Sequence, residues 1–287
     1  IAVTGLTNGC AITLAVVQDG VGGHVLGIPS TWWGANDFFP NTTAGQYDIL
    51  VIWKSSWGIH VKRVHTGEAP SDFWTPQSLA DQYCWYNADA LALEHGDTVS
   101  SWNNSWTAQP AMTAVNAPTL QIVNGVKAVK FEAALTTSME VDFIGVGQPL
   151  SIAVLARVNG AGRQDVINGG TNLNNNSPSI SVRDSPANWW ANEVDLGSLT
   201  ANGNWQTVVY QVNGGSSQLR VDSVSAASTI GALSLPGVRI GRSDSGTFYS
   251  DVDYAEIVIF KHISDGAELG ALEAYLSKKR DVLNGIL

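Results

Sequence analysis

The run Tyr254-Ala255-Glu256-Ile257-Val258-Ile259-Phe260 limits what this chain can become more than any other stretch. Its residues are nearly all β-branched or aromatic, and apolar side chains fall on both parities. A strand of that kind must be covered on both faces. Only Glu256 breaks the pattern. Before it, Val238-Arg239-Ile240-Gly241 is a short β-type run ended by glycine, and Arg242 to Asp251 is a loop rich in Ser, Asp, Gly and aromatics. After it, Asp265 offers an N-cap with Glu268 three residues on, a capping box. Leu269, Leu272 and Leu276 then give one apolar stripe at helical spacing, and Lys278, Lys279 and Arg280 occupy the last turns, where the helix dipole favours cations.

Short strand signals separated by Gly and Asn turns fill most of the remaining chain. They fall at Ala11 to Val17, His24 to Ile28, Tyr47 to Trp53 and Gly58 to Val64. More follow at Pro149 to Val158, Pro178 to Val182 and Ala191 to Ser198. Pro118 to Glu132 reads as a hairpin through Asn124-Gly125. Trp205 to Val212 and Gln218 to Val224 pair across Asn213-Gly214-Gly215. Asn159 to Ser177 reads as a loop. Thr66 to Ser71 is small and polar and reads as a linker. The expected fold is therefore all-β: a small β module over residues 1–67, then an antiparallel sandwich or jelly roll over 68–287 closed by one helix.

Composition narrows the class. Among 287 residues there are 29 Gly and 11 Trp, and only 14% are charged. Few charges with many Asn, Ser, Thr, Gly and Trp suit a β-rich extracellular or virion protein. The net charge of −10 argues against a nucleic-acid partner. No apolar run approaches the ~18–20 residues needed to cross a bilayer, so no membrane insertion is expected. Cys10 and Cys84 are the two cysteines, expected as free buried thiols. No basic start followed by an apolar core and a cleavage site is visible. Assembly in a bacterial cytoplasm is the expectation that follows.

The C-terminal block resembles laminin-G-like, concanavalin A-type lectin/glucanase domains. Ile240-Gly241-Arg242, Asp253 to Phe260, Ile263-Ser264-Asp265, Glu268 and Tyr275-Leu276 carry the likeness. Pro76, Leu79, Trp85-Tyr86, Ala88-Asp89, Val99, Trp102 and Ser105 resemble the beginning of the same domain, with Asn87 in place of its first Asp. The first ~65 residues, on unit boundaries drawn from the strand pattern, resemble a small β module of phage fibres and tail proteins. Gly5-Leu6-Thr7, Gly9, Ile12-Thr13-Leu14, Gln18-Asp19, Gly22-Gly23, Trp32-Trp33 and Asp48-Ile49-Leu50 with Trp53 carry that likeness. In that family the module is a spacer or trimer-forming piece.

Retaining enzymes of the lectin/glucanase fold carry E-x-D-x-x-E on one strand. Glu140 and Asp142 supply two acids, but Gly145 stands where the third belongs, and Glu193/Asp195 fails in the same way at Ser198. No catalytic residue is assigned. Asp244, Asp251 and Asp253, with Asp184, are candidates for an oxygen-rich Ca²⁺ site, set against the plainer reading of Asp as a turn residue. Sugar binding needs an aromatic platform beside hydrogen-bonding groups. Two loops offer both. One joins Asn174, Asn175 and Asn176 to Arg183-Asp184 and Trp189-Trp190. The other runs from Arg242 to Asp251 and holds Phe248 and Tyr249. In an extended segment Trp189 and Trp190 point to opposite faces, so at most one is core and the other exposed; the alternative is that both are packed.

Together these readings lead to the expectation of a virion fibre or spike protein of a phage or a phage-like particle. Its sandwich would bind a host-surface polysaccharide, and its first unit would contact other virion proteins and form a homotrimer. Beyond possible Ca²⁺, no cofactor is expected. A polysaccharide depolymerase of the same fold and a structural decoration protein are the rival readings.

Overall fold

The computed structural model describes residues 11–17, 46–55, 58–68, 76, 82–106, 109–169, 177–183, 187–192, 194–228, 234–243, 248–262 and 266–286. The chain divides into two compact units, Ile1–Phe73 and Trp74–Leu287. In the first, β1 (Ala11–Val17), β2 (Gln46–Ser55) and β3 (Gly58–Glu68) form an antiparallel sheet in the order β1-β2-β3. The first three residues of the linker expected from Thr66 are in β3 instead. Thr66, Gly67 and Glu68 still pair with Asp48, Tyr47 and Gln46. His24 to Ile28, Trp32-Trp33 and Cys10 lie outside the described residues.

The second unit is a sandwich of two antiparallel eight-stranded sheets with one C-terminal helix. Its strands are β4 (Gln82–Asn87), β5 (Ser101–Trp102), β6 (Met112–Asn116), β7 (Thr119–Val123), β8 (Val126–Lys130), β9 (Ser138–Val146), β10 (Leu150–Val158) and β11 (Gln164–Asn168). They continue as β12 (Ser179–Arg183), β13 (Asn188–Ala191), β14 (Val194–Thr200), β15 (Trp205–Val212), β16 (Ser217–Val221), β17 (Val224–Ser228), β18 (Leu235–Ile240) and β19 (Val252–Phe260), and the helix is α1 (Gly266–Leu283). One sheet, here the helix-side sheet, runs β17-β16-β15-β10-β19-β8-β7. Its eighth strand, β4, shares an edge of β19 with β8: β8 pairs with Asp253 and Tyr254, and β4 with Glu256 to Phe260. The other, the open-side sheet, runs β14-β13-β12-β11-β18-β9-β6-β5. The all-β sandwich with a terminal helix is thus the observed architecture.

Every residue of β19 is buried. Val252, Tyr254, Ile257 and Ile259 face the core between the sheets, where they meet Ile180, Val182, Val238 and Ile240 from the open-side sheet. Ala255, Val258 and Phe260 face the opposite way, against Leu269, Leu272 and Leu276 of α1. The order is not a strict alternation. Leu155 pairs with Glu256 and Ala156 with Tyr254, so Ala255 is an extra residue in a bulge. The bulge turns Glu256 toward the helix. There its carboxylate accepts from Trp85 Nε1 at 3.0 Å, Tyr275 Oη at 2.7 Å and Lys279 Nζ at 2.7 Å. Lys279 also reaches Asp89 at 2.7 Å and Asn87 at 3.1 Å. The one residue that breaks the apolar run is therefore the anchor of the helix.

Three departures from the sequence pattern have local causes. Gln218 to Val224 is two strands rather than one, because Asp222 and Ser223 both take left-handed backbone (φ 48° and 68°) and form a hairpin turn. Asp222 is held there from outside the hairpin: its Oδ1 accepts from the Thr207 amide at 3.0 Å and from Arg280 at 2.8 Å. Ala191 to Ser198 likewise divides at Asn192 (φ 48°) into β13 and β14, and Asn192 Oδ1 accepts from the Ser179 amide at 2.7 Å. The expected loop Asn159 to Ser177 contains β11. The hairpin at Asn124-Gly125 forms where expected, with φ of 50° and 83° at the two turn residues. The helix includes Glu268, but Asp265 lies outside the described residues. The Glu268 carboxylate contacts His262 Nε2 at 2.6 Å. Among the described residues no helix is long and apolar enough to cross a membrane.

Candidate functional site

The helix covers the outer face of one sheet, so the outer face of the open-side sheet is where this unit presents side chains from regular strands. Alternation decides which ones. On β13, Trp189 is fully buried in the sandwich core, so Trp190 points outward, and it is half-buried. Opposite Trp190 on β12 is Ser181, and opposite Ser181 on β11 is Asp165. On β18, Val238 and Ile240 point into the core, so Arg239 points outward. It stands opposite Asn168 of β11 and Glu140 of β9, and Glu140 stands opposite Thr113 of β6. The two pairings reach β11 three residues apart, at Asp165 and at Asn168, and together form a stepped row across five strands from β13 to β9, on the order of 19 Å at ~4.8 Å per strand.

Two aromatic–arginine pairs lie on the row. The Arg183 guanidinium sits 4.9 Å from the centre of the Trp190 ring, and Arg183 Nε donates to Ser181 Oγ at 3.2 Å. The Arg163 guanidinium sits 5.6 Å from the centre of the Phe248 ring, and Arg163 Nε lies 3.0 Å from Asp165 Oδ1. Phe248 is 53% exposed.

Residues 241–243 and 248–250 run antiparallel to each other. Arg242 and Tyr249 form an antiparallel bridge, the Ser243 amide donates to Phe248 O at 2.8 Å, and the Ser250 amide donates to Gly241 O at 2.9 Å. Gly241 makes the corner possible. Its φ is +79°, and a Cβ there would lie 2.4 Å from the Phe131 ring and 2.6 Å from Thr137 O. Arg242 is thereby aimed back at β9, where its Nη2 donates to Glu140 Oε2. Arg239 Nε lies 3.1 Å from the same oxygen. Ser250 joins this corner to β11: its Oγ accepts from the Asp165 amide at 2.8 Å and donates to Asp165 O at 3.1 Å. Asn168 Nδ2 donates to Arg242 O at 2.9 Å.

Of the residues expected from sequence, Trp190, Arg183, Arg242 and Tyr249 belong to this face or its corner. Trp189 does not; it is a core residue, as one member of an extended Trp-Trp pair must be. Asn174, Asn175, Asn176, Asp184 and Asp244 lie outside the described residues. The two loops offered as separate candidates are joined through β11 and β12. Sequence reasoning missed Arg163, Asp165, Ser181 and Arg239. Asp165-Val166-Ile167 carries the only local signal for β11, a short apolar pair inside a Gly- and Asn-rich stretch. Glu140 was weighed as a catalytic acid; it is instead the shared counter-ion of two guanidinium groups. Asp142 points outward at the next such position on β9 and is exposed, as is Asp195 on β14. Glu193 lies outside the described residues.

The proposed metal ligands that can be placed have protein partners. Asp253 is fully buried, and its Oδ2 accepts from Arg157 Nη2 at 2.6 Å and Asn159 Nδ2 at 2.9 Å. Asp251 Oδ1 accepts from the Ala133 amide at 2.8 Å. Among the described residues no three of His, Cys, Asp and Glu come together as a metal-binding group. Cys84 is a free, fully buried thiol, and burial pushes it well above the usual thiol range.

No protein-family model matches the chain. No curated protein matches it in sequence. Solved structures do share its architecture. Trypanosoma rangeli sialidase in complex with sialic acid superposes with a TM-score of 0.52 at 12% identity, over 82% of this chain and 43% of its own. A mutant GH54 α-L-arabinofuranosidase soaked with 4-nitrophenyl α-L-arabinofuranoside superposes with a TM-score of 0.51 at 8% identity, over 64% of this chain and 51% of its own. This chain spans about half or less of those proteins, and at such identities the likeness is one of fold.

Proposed function

We propose that the second unit is a carbohydrate-binding sandwich, and that its ligand lies across the outer face of the open-side sheet. The observation that carries this reading is the row from Trp190 to Glu140. It sets Trp190 beside Arg183, and Arg239 beside Glu140 and exposed Thr113, on a face that none of the described helices covers, while the buried Ser181, Asp165 and Asn168 lie between them; an aromatic ring beside hydrogen-bonding groups suits pyranose rings with their hydroxyl-bearing rims. Both superposed proteins carry a sugar ligand or sugar substrate in their descriptions, which agrees with the reading. The sequence resemblance of the first unit supports a finer version. In it the chain is part of a virion fibre or spike that holds a host-surface polysaccharide, with the first unit contacting other virion proteins and forming a trimer. Several copies would then turn weak single-site affinity into firm attachment.

Binding rather than hydrolysis is the favoured activity. Glu140, the best-placed acid on the face, is engaged by Arg239 and Arg242 and has no second acid opposite it on the neighbouring strands. The test is binding of the full chain to an array of bacterial capsular and lipopolysaccharide glycans, beside Trp190→Ala. Saturable binding that weakens about ten-fold in the variant is expected, since a stacked aromatic with its partner contributes on the order of 1–2 kcal/mol. Binding unchanged by EDTA is also expected, because Asp251 and Asp253 are engaged by protein donors. New reducing ends would transfer the assignment to a depolymerase. A folded chain that binds no glycan would leave the decoration role.

A further inference from the structure

A sheet ends in strands whose outer N–H and C=O groups lack a neighbour, and folded proteins blunt such edges. In the second unit all but one are blunted among the described residues. At β7 the preceding segment closes the edge: the Gly96 amide donates to Leu120 O at 2.8 Å, the Leu120 amide to Asp97 O at 2.8 Å, and the Ile122 amide to His95 Nδ1 at 3.1 Å. At β4 the Ser105 amide donates to Trp85 O at 2.7 Å, and the Trp85 amide to Asn104 Oδ1 at 2.9 Å. β5 has only two residues. β14 slips in register against β13 and carries the exposed Asp195. β17 has none of these devices. Its five residues pair with β16 without a break. The two-residue turn at Asp222-Ser223 makes Val221 and Val224 a hydrogen-bonded pair. Alternation then turns the N–H and C=O groups of Ser225 and Ala227 away from β16. Both residues are exposed, and beyond β16 neither has a hydrogen-bond partner among the described residues. β14 meets β17 from the core side, where Leu196, Leu199 and Ala226 share one apolar cluster.

We propose that β17 is a twofold contact with a second copy of this chain, which joins the two helix-side sheets into one. A second copy fits because the strand is complementary to itself. With the twofold axis at Ala226, Ser225 of each copy stands opposite Ala227 of the other. Those are the residues whose backbone groups face outward, so four N–H···O bonds form. Val224, 57% exposed, comes to stand opposite Ser228 of the second copy. The side chains of the joint are all small and neutral. No charged residue or histidine lies between Ser223 and Val238, in a chain whose net charge is −10. The nearest charges are engaged, Arg220 by Glu273 at 2.7 Å and Asp222 by Arg280 at 2.8 Å. Two chains that repel through their net charge therefore meet here with no like charges opposed. The helix leaves room, since the apolar strand residues it packs against end at β15, two strands short of β17. The contact belongs to the second unit alone and stands apart from the trimer proposed for the first.

The experiment is sedimentation equilibrium of the full chain over a range of concentrations, beside Ala227→Pro, Ala227→Lys and Ser101→Lys. Proline at 227 removes an N–H that β16 does not use, which an edge strand tolerates. Lysine at 227 places a charge on the edge, and Ser101→Lys adds the same charge at an exposed position of β5. The parent and Ser101→Lys are expected to reach twice the mass of the two 227 variants. Loss of two of the four edge bonds raises the dissociation constant of Ala227→Pro about ten-fold or more. A first unit that trimerises makes the doubling one from three copies to six, so the two contacts are told apart. Hydrogen exchange of the parent gives a reading that no variant's folding can upset: the Ser225 and Ala227 amides are expected to be protected at high concentration and to exchange quickly on dilution. A mass that both 227 variants leave unchanged overturns the contact. So do amides that exchange quickly at every concentration, and amides protected equally at every concentration, which assign the edge to another segment of the same chain.

Discussion

The two sheets of the sandwich share one core and differ in what their outer faces carry. The helix-side sheet has apolar groups on both faces, and charged side chains at its buried positions are tied to specific partners. Glu256 has Trp85, Tyr275 and Lys279; Arg220 has Glu273 at 2.7 Å; Asp222 has Arg280 at 2.8 Å. On β12, β13 and β18 of the open-side sheet core residues alternate with outward polar or aromatic ones, while β11 is buried throughout. The first arrangement fixes the fold, since burying a charge without its partner is costly. The second leaves a surface whose side chains can change with little effect on the core. A face on which Trp, Phe and Arg stay accessible while the sheet behind it is saturated with contacts is where binding can be sought.

The comparison breaks most sharply at Lys279. Lys279→Met leaves Glu256 buried without its cation, with only the neutral donors of Trp85 and Tyr275. A loss of about 3–5 kcal/mol is expected in urea unfolding of the second unit, with glycan binding per folded molecule unchanged. Next comes Gly241→Ala, which strikes both sheets' business at once. Left-handed backbone and the close approach to Phe131 and Thr137 predict a loss of about 1–3 kcal/mol. Because Arg242 follows directly, glycan affinity is expected to fall as well. If affinity survives while stability drops, the corner does not position the ligand.

Alkaline pH tests the buried core rather than the face. Burial raises Cys84, Tyr86, Tyr254 and Tyr275 in the folded state, with the charge of Glu256 adding to the effect at Tyr275. For a raised group the contribution to stability is complete below the unfolded value and is lost as pH climbs toward the folded one. Unfolded thiols and phenols ionise near about 8.5 and 10. Urea midpoints are therefore expected to hold from pH 7 to 8 and to fall progressively above that range. A midpoint that stays constant to pH 11 would contradict these buried positions. The smallest effect is expected at the open face. Trp190→Ala should shift the urea midpoint little, about 1 kcal/mol or less, because its ring lies outside the core against the Arg183 guanidinium. Trp189→Ala, one residue away, should cost about 3–5 kcal/mol.

The sequence by itself determined the elements with strong local periodicity. The two-sided burial of β19, the apolar stripe of α1, the Asn124-Gly125 hairpin and the opposite directions of Trp189 and Trp190 all follow from spacings within a few residues. That information is local, and elementary sterics reads it. What the tertiary structure decided was non-local. Asp165 and Arg163 stand on the site because β11 pairs with β12, yet β11 is a short run inside a Gly- and Asn-rich stretch with little pattern of its own. Glu140 meets Arg242, 102 residues away, only because Gly241 turns the chain at the end of β18. Glu256 faces the helix because a one-residue bulge resets the alternation. Each depends on which strands become neighbours, and that choice is made by the packing of the whole sandwich rather than by any one segment.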